Sequence, residues 1–233
     1  MGLDPHELFD GQSLAAQLSR RHLPATGDLH GLDAEALLAL PPLPHREYSI
    51  ASIPADGAVQ LVVREAFQAD GTPGLGSGWL CRYAAIGEEI AHGPDAATPL
   101  ILIGNGTGIA GLRAHLRERA AHPGSRNWLL FGERNAAHDF LFNEELALWR
   151  ESGHLQRLDL AFSRDQPEKR YVQHVLRDVA DELRCWVGQG AAIYVCGSLE
   201  GMGQEVQQIL LGLLGQARLE QLSDQGRYRR DLY

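Results

Sequence analysis

The spacing of apolar residues changes character twice along the chain. In residues 1–45 the runs "SLAAQLSRRH" and "LDAEALLAL" space their apolar positions at helical intervals. They stop at "PATGD" and "PPLPH", which are turn-forming clusters. "REYSIAS" and "VQLVVREAF" are then short and rich in β-formers, separated by "IPADGA". "GTPGLGSGWLCRYA" begins glycine-rich and continues with helical spacing. From Thr98 onward, short apolar runs alternate with amphipathic ones. "PLILIG", "NWLLFGER", "LQRLDLAFS" and "AAIYVCG" predict strands. "GLRAHLRERA", "FLFNEELALWRES", "YVQHVLRDVADELRCWV" and "GMGQEVQQILLGLLGQ" predict the helices between and after them. Apolar strands alternating with helices imply an α/β fold with a doubly wound parallel sheet.

Ligands on such sheets sit beyond the carboxyl ends of the strands. Those ends fall at residues 104–108, 132–134, 163–169 and 196–198. In "LILIGNGTGIAGLRAHL", Gly104, Gly106 and Gly108 lead into a helix starting near Ile109, with Thr107 adding a hydroxyl. A helix N-terminus there favours an anion such as a pyrophosphate. Taken alone, the same triplet equally serves a tight turn with close helix packing. "AFSRDQPEKRYVQ" places Ser163, Arg164, Lys169 and Tyr171, with Gln173 at its end, after the third strand of this series. A guanidinium, an ammonium and two hydroxyls suit a phosphate monoester, and the phenol ring suits adenine stacking. No carboxylate stands where an NAD enzyme grips the adenosine ribose, so the pattern points to NADP(H). "REYSIAS" carries Arg46, Tyr48, Ser49 and Ser52. A cation, a ring and hydroxyls suit a flavin dinucleotide, although such a stretch is more often an ordinary edge strand.

Composition narrows the classes. The 233 residues are 44% hydrophobic, enough for a packed core. The formal net charge of −9 argues against a nucleic-acid partner, which needs a basic footprint. Cys81, Cys185 and Cys196 fit neither a disulfide framework nor metal-ligand spacing, and the ten histidines are scattered. Reduced thiols, no apolar run long enough to span a bilayer and no signal-peptide pattern suggest a cytoplasmic protein.

Seven motifs then occur in one order: "RxYSIAS", "GxGSxWL", "GxGTGIA", "FGER", "SRDQxEKxYVQ", "YVCGS" and "GRYRRDLY". Over residues 35–233 the set resembles the FAD/NADPH module of the diflavin reductases, within the ferredoxin–NADP reductase superfamily. The nearest look is to the flavoprotein component of NADPH-dependent sulfite reductase and its membrane-anchored bacterial relatives. The resemblance implies FAD and NADPH as cofactors. Arg46 would meet the FAD pyrophosphate, Tyr48 would stack on the isoalloxazine, and Ser49 would bond near its N5, with Ser52 nearby. Gly74, Gly76 and Ser77 would bind FAD phosphates. Gly104, Gly106, Thr107 and Gly108 would take the NADPH pyrophosphate, with Arg134 close. Ser163, Arg164, Lys169, Tyr171 and Gln173 would bind the 2′-phosphate end. Cys196 would sit beside the nicotinamide, Asp231 would polarise the transfer site, and Tyr233 would cover the flavin.

The sequence departs from that family in three places. The upstream barrel strands and the Phe-Arg-Leu-Pro stretch are missing, so the FAD barrel is expected to be a truncated antiparallel region. Asn105 and Gly111 stand where prolines are common, and Ser198 where an Asp is common. No flavodoxin-like FMN domain accompanies the module. The expected organisation is a partial FAD-binding region with a helical connecting segment over 1–97, then an NADP(H)-binding domain over 98–233. The expected function is NADPH-dependent flavin reduction, with electrons passed to an FMN domain, a haem protein or another acceptor. The alternative is an NADP(H)-binding fragment without a complete FAD site, inactive alone. As part of a larger anchored protein, it would lie at the cytoplasmic face of a membrane.

Overall fold

The computed structural model describes residues 8–9, 12–14, 18, 21, 32–42, 48–83 and 95–233. The chain divides into two compact units, Met1–Glu47 and Tyr48–Tyr233. In the first, strands β1 (Leu8–Phe9) and β2 (Gln12–Ser13) pair antiparallel. Helix α1 (Ala34–Leu38) starts where Asp33 accepts a bond from the Ala36 amide, 2.8 Å away. Such an N-cap contributes about 1 kcal/mol. Arg21 donates to the Leu40 carbonyl at 2.7 Å. The helix expected over "SLAAQLSRRH" lies largely outside the described residues.

The second unit opens with a reduced antiparallel part. The two runs expected as strands meet through one bridge, Ile50 with Leu61, and the second run closes on the following turn through Phe67 with Pro73. Helix α2 (Leu75–Tyr83) follows. The main sheet has five strands: β3 (Leu100–Asn105), β4 (Asn127–Glu133), β5 (Arg157–Phe162), β6 (Ala192–Gly197) and β7 (Tyr228–Leu232). Their order is β5-β4-β3-β6-β7, and every pairing is parallel. The chain winds outward from β3 to β5, then returns to β6 on the other side of β3. The order therefore reverses between β3 and β6, where a crevice opens at the strands' carboxyl ends.

Period-two alternation assigns each strand residue to one of two cores. Ile101, Ile103, Trp128, Leu130, Ile193 and Val195 face one side. They pack with α6 (Val172–Asp178), α7 (Ala180–Gly188), α8 (Gln204–Leu214) and α9 (Gln216–Asp224). Leu100, Leu102, Leu129, Phe131, Tyr194 and Cys196 face the other side, with α3 (Ile109–Ala120) and α5 (Asn143–Glu151). Both faces are covered, which is why the inner strands read as unbroken apolar runs.

Three elements differ from the sequence pattern. The single helix expected over "YVQHVLRDVADELRCWV" is two, because Val179 leaves helical geometry at φ −108° and ψ 23°. No glycine or proline marks that break, and both halves still bury apolar side chains against the same core. The last helix, α9, and the edge strand β7 carry too few apolar residues to be foreseen. Gly215, at φ 80°, separates α9 from α8.

Candidate functional site

A cavity of about 610 Å³ lies along the carboxyl ends of β3, β4, β5 and β6. That size suits a cofactor site. Its lining brings together Gly106, Arg134, Ser163, Arg164, Lys169, Tyr171 and Gln173 from three loops that span more than 60 residues of sequence. Pairing of β4 with β5 continues past the strand ends: Ser163 N–H bonds the Glu133 carbonyl at 2.9 Å, and Arg164 N–H the Arg134 carbonyl at 2.8 Å. Asp165 anchors the loop outside the cavity, accepting from Asn135 Nδ2 and the Ala136 amide at 2.9 Å each. Those bonds, the Ala136 amide first, lower its pKa. The Asp165 carboxylate is thereby committed to the neighbouring loop. Arg170 is likewise engaged, in an ion pair with Asp178. Among the described residues, Arg164 and Lys169 form no ion pair, and both are exposed at the cavity. Two unpaired cations beside a buried Ser163 are equipped to hold a phosphate dianion.

At the other end of the cavity the glycines do two jobs. A Cβ on Gly108 would lie 2.2 Å from the Cys196 carbonyl oxygen, so the turn after β3 packs directly on β6. Gly106 has φ 57°, and a Cβ there would meet only Glu133 Oε1, in ordinary contact at 3.6 Å. It leaves room for a ligand against the backbone. Asn105 spans the crevice, accepting from the Ser198 amide at 3.0 Å. Its side chain therefore ties β3 to β6.

A second cluster lies on the α3 face of the sheet. Cys196 and Asp231 are register partners on β6 and β7, so their side chains project to the same face. The Cys196 thiol donates to Asp231 Oδ2 at 3.5 Å. Ser49 Oγ donates a short bond to the same oxygen and lies 3.4 Å from Cys196 Sγ. Burial, reinforced by the Asp231 charge, pushes the Cys196 thiol up to about 12. Burial thus favours the neutral thiol over the thiolate. The cluster offers a hydroxyl, a thiol and a carboxylate that together position a ligand or hold a proton.

Thr107 and Tyr233 join the two regions through a 2.8 Å bond between Oγ1 and the phenol oxygen. Tyr233 is fastened by its backbone as well: its N–H bonds the Gly197 carbonyl and its carbonyl accepts from Leu199 N–H. Its ring is half-exposed, and burial raises the phenol pKa while the Thr107 bond lowers it. A smaller cavity of about 210 Å³ adjoins the cluster, lined by Gly111, His115, Tyr194, Arg229 and Asp231 among others.

Other expected ligands are occupied locally. Ser52 is buried and accepts from the Gln60 amide at 2.9 Å. Gly74, Gly76 and Ser77 open α2, but Ser77 Oγ accepts from the Ala66 amide at 3.0 Å. Tyr48 is half-buried at the start of the second unit. Arg46 lies outside the described residues. Sequence reasoning missed Arg64 and Glu133, which also line the large cavity and pair at 2.6 Å. A lone cation in the apolar run "LVVREAF" and the acidic residue of "FGER" were the available signals.

Comparison with known proteins agrees with this geometry. Residues 102–208 match the family model of the oxidoreductase NAD-binding domain. The sulfite reductase [NADPH] flavoprotein alpha-component of Escherichia coli (strain K12) is 40% identical over 230 aligned positions, covering 87% of this chain. This chain contains an oxidoreductase NAD-binding module. The same component from Citrobacter koseri is 39% identical, and that from Enterobacter sp. (strain 638) 37%, with equal coverage. The chain spans 38% of the length of these relatives. Among its described residues no helix is long and apolar enough to cross a membrane, and no cluster of side chains suits a metal ion.

Proposed function

We propose that the chain is an NADPH-dependent flavoprotein reductase. Residues 98–233 bind NADPH, and residues up to 97 supply one wall of an FAD site. The observation that carries this reading is the convergence of Ser163, Arg164, Lys169 and Tyr171 at one end of the cavity whose other end is the Gly106 turn. The spacing of a dinucleotide's 2′-phosphate and pyrophosphate calls for those two anion sites, joined by an open groove. Arg164 and Lys169 take the 2′-phosphate, Tyr171 stacks on the adenine, Gln173 closes that end, and the Gly106 turn with Arg134 takes the pyrophosphate.

The flavin-ring end fits the remaining residues. Ser49, Cys196 and Asp231 present the only hydroxyl, thiol and carboxylate held together on that face among the described residues. The cofactors when bound supply the redox chemistry, a hydride passed from nicotinamide to flavin. The chain's share is placement: Ser49 orients the flavin edge, Asp231 holds the Ser49 proton, and the neutral Cys196 fills the space beside the nicotinamide without adding charge. Tyr233, held by Thr107 and by the Gly197 and Leu199 backbone, would cover the flavin ring and would have to move for a nicotinamide to approach. Electrons then leave for an FMN domain, a haem protein or another acceptor, and the site of action is the cytoplasm.

A second reading, an NADP(H)-binding fragment with no working flavin site, is favoured by the commitment of the Ser52 and Ser77 hydroxyls to backbone amides. Anaerobic addition of NADPH to the FAD-reconstituted chain separates the two. Loss of the oxidised flavin absorbance is expected. Undiminished absorbance, with NADP⁺ still binding, would establish the fragment reading instead.

A further inference from the structure

Glu133 is an anomaly in a cavity that otherwise gathers cations. It ends β4, its side chain is only 3% exposed, and Oε2 accepts from the Arg134 amide at 2.7 Å. A Cβ built on Gly106 would lie 3.6 Å from its Oε1, so the carboxylate lies against the turn read above as the pyrophosphate cradle. An unpaired buried carboxylate there would repel a polyanion and incur a large desolvation cost. Arg64 supplies the pairing. Its Nη2 donates to Glu133 Oε1 at 2.6 Å, yet its side chain remains 48% exposed and lines the same cavity. Arg64 belongs to the segment before the sheet, not to any loop at a strand end. The guanidinium therefore stands beside Glu133 and the Gly106 turn, on the route a dinucleotide's diphosphate would take through the cavity.

We propose that Arg64 is a pyrophosphate-binding residue contributed by the segment before the sheet, and that Glu133 is the positioning residue that holds its guanidinium at the cradle. The inference rests on the NADPH reading of the cavity. A guanidinium has five N–H donors in a planar fork, so one can be spent on Glu133 while others meet phosphate oxygens. Glu133 thereby exchanges Arg64's side-chain freedom for a fixed orientation before the ligand arrives.

The test is isothermal titration of the purified chain with NADP⁺ and with 2′-AMP, which carries the 2′-phosphate but no pyrophosphate. Wild type, Arg64→Ala, Arg64→Lys and the double variant Arg64→Ala/Glu133→Gln are compared. Arg64→Ala is expected to weaken NADP⁺ by about tenfold or more and to leave 2′-AMP within about twofold. Arg64→Lys, which keeps the charge but not the fork, should fall between. The double variant should stay at least about fivefold weaker than wild type, because the phosphate contact is still missing. Recovery of wild-type affinity in the double variant would mean that Arg64 merely neutralises Glu133, and would overturn the proposal. Equal losses for both ligands in Arg64→Ala, or no loss for NADP⁺, would overturn it too. Failure of wild type to bind either ligand would instead remove the NADPH reading, and the inference with it.

Discussion

His115 on α3 stands edge-on to the Tyr194 ring, with centroids 5.0 Å apart, in the smaller cavity. Burial first, then the Arg229 and Arg119 charges, pull its pKa from 6.5 down to about 4. The unfolded chain thus binds a proton that the folded chain refuses. The stability that this contributes is complete above pH 6.5 and is lost as pH falls toward 4, with a ceiling of about 3 kcal/mol. Urea unfolding between pH 7.5 and 4.5 should show stability declining with acid. His115→Gln should flatten the part of that slope due to this ring. An unchanged slope in the variant would assign the acid sensitivity elsewhere. Residues of this kind were poorly legible in the sequence, where His115 is one of ten scattered histidines. The candidate phosphate ligands were far more legible, because Arg164 and Lys169 stand close together in an acidic chain. Ser49 was singled out from "REYSIAS", but the roles of Cys196 and Asp231 were reached only through resemblance to a family, and that the three meet was not readable. Their contact depends on a register between β6 and β7 that no local pattern encodes.

Among elements, the short segment from Tyr48 to Gln60 has little structure of its own, yet it must hold Ser49 in place. Helix α3 does this with two arginines. Arg113 is buried and donates to the Ala51 carbonyl at 2.6 Å and to Gln60 Oε1 at 3.2 Å, while pairing with Glu145 of α5. Its guanidinium also lies 4.4 Å from the Phe142 ring centroid. One turn along, Arg117 pairs with Asp56 at 2.6 Å. Arg113→Ala should cost about 2–4 kcal/mol, because it strands a buried carbonyl and a half-buried carboxylate. It should also speed proteolysis around residues 48–60 more than elsewhere. A loss below about 0.5 kcal/mol, the level of an ordinary surface change, would contradict the clamp. The helices and inner strands were legible because their apolar spacing is strong. Helix α3 was therefore foreseen, but its clamp was not: helical spacing in "GLRAHLRERA" does not say which arginine meets which partner. The same limit explains β7, an edge strand whose "YRRDL" has a polar majority, and the unmarked break at Val179.

For the molecule as a whole, the sheet order, the crevice and the match to the oxidoreductase NAD-binding domain describe one object. The doubly wound class was readable from strand–helix alternation alone, since both covered faces demand apolar strands. The extent of the antiparallel part was not readable, because "REYSIAS" and "VQLVVREAF" have good β-propensity but meet through a single bridge, Ile50 with Leu61. Propensity without cross-strand partners does not make a sheet. The central claim is that this crevice recognises the 2′-phosphate of NADP(H). The direct measurement is calorimetric titration of the chain with NADP⁺ and NAD⁺, repeated on Arg164→Ala/Lys169→Ala. NADP⁺ should bind the wild-type chain more tightly than NAD⁺ by about two orders of magnitude or more, from two charge-assisted contacts of about 1.5–3 kcal/mol each. The double variant should lose that advantage and leave NAD⁺ affinity nearly unchanged. Equal affinities for the two nucleotides in wild type, or equal losses for both in the variant, would contradict the account.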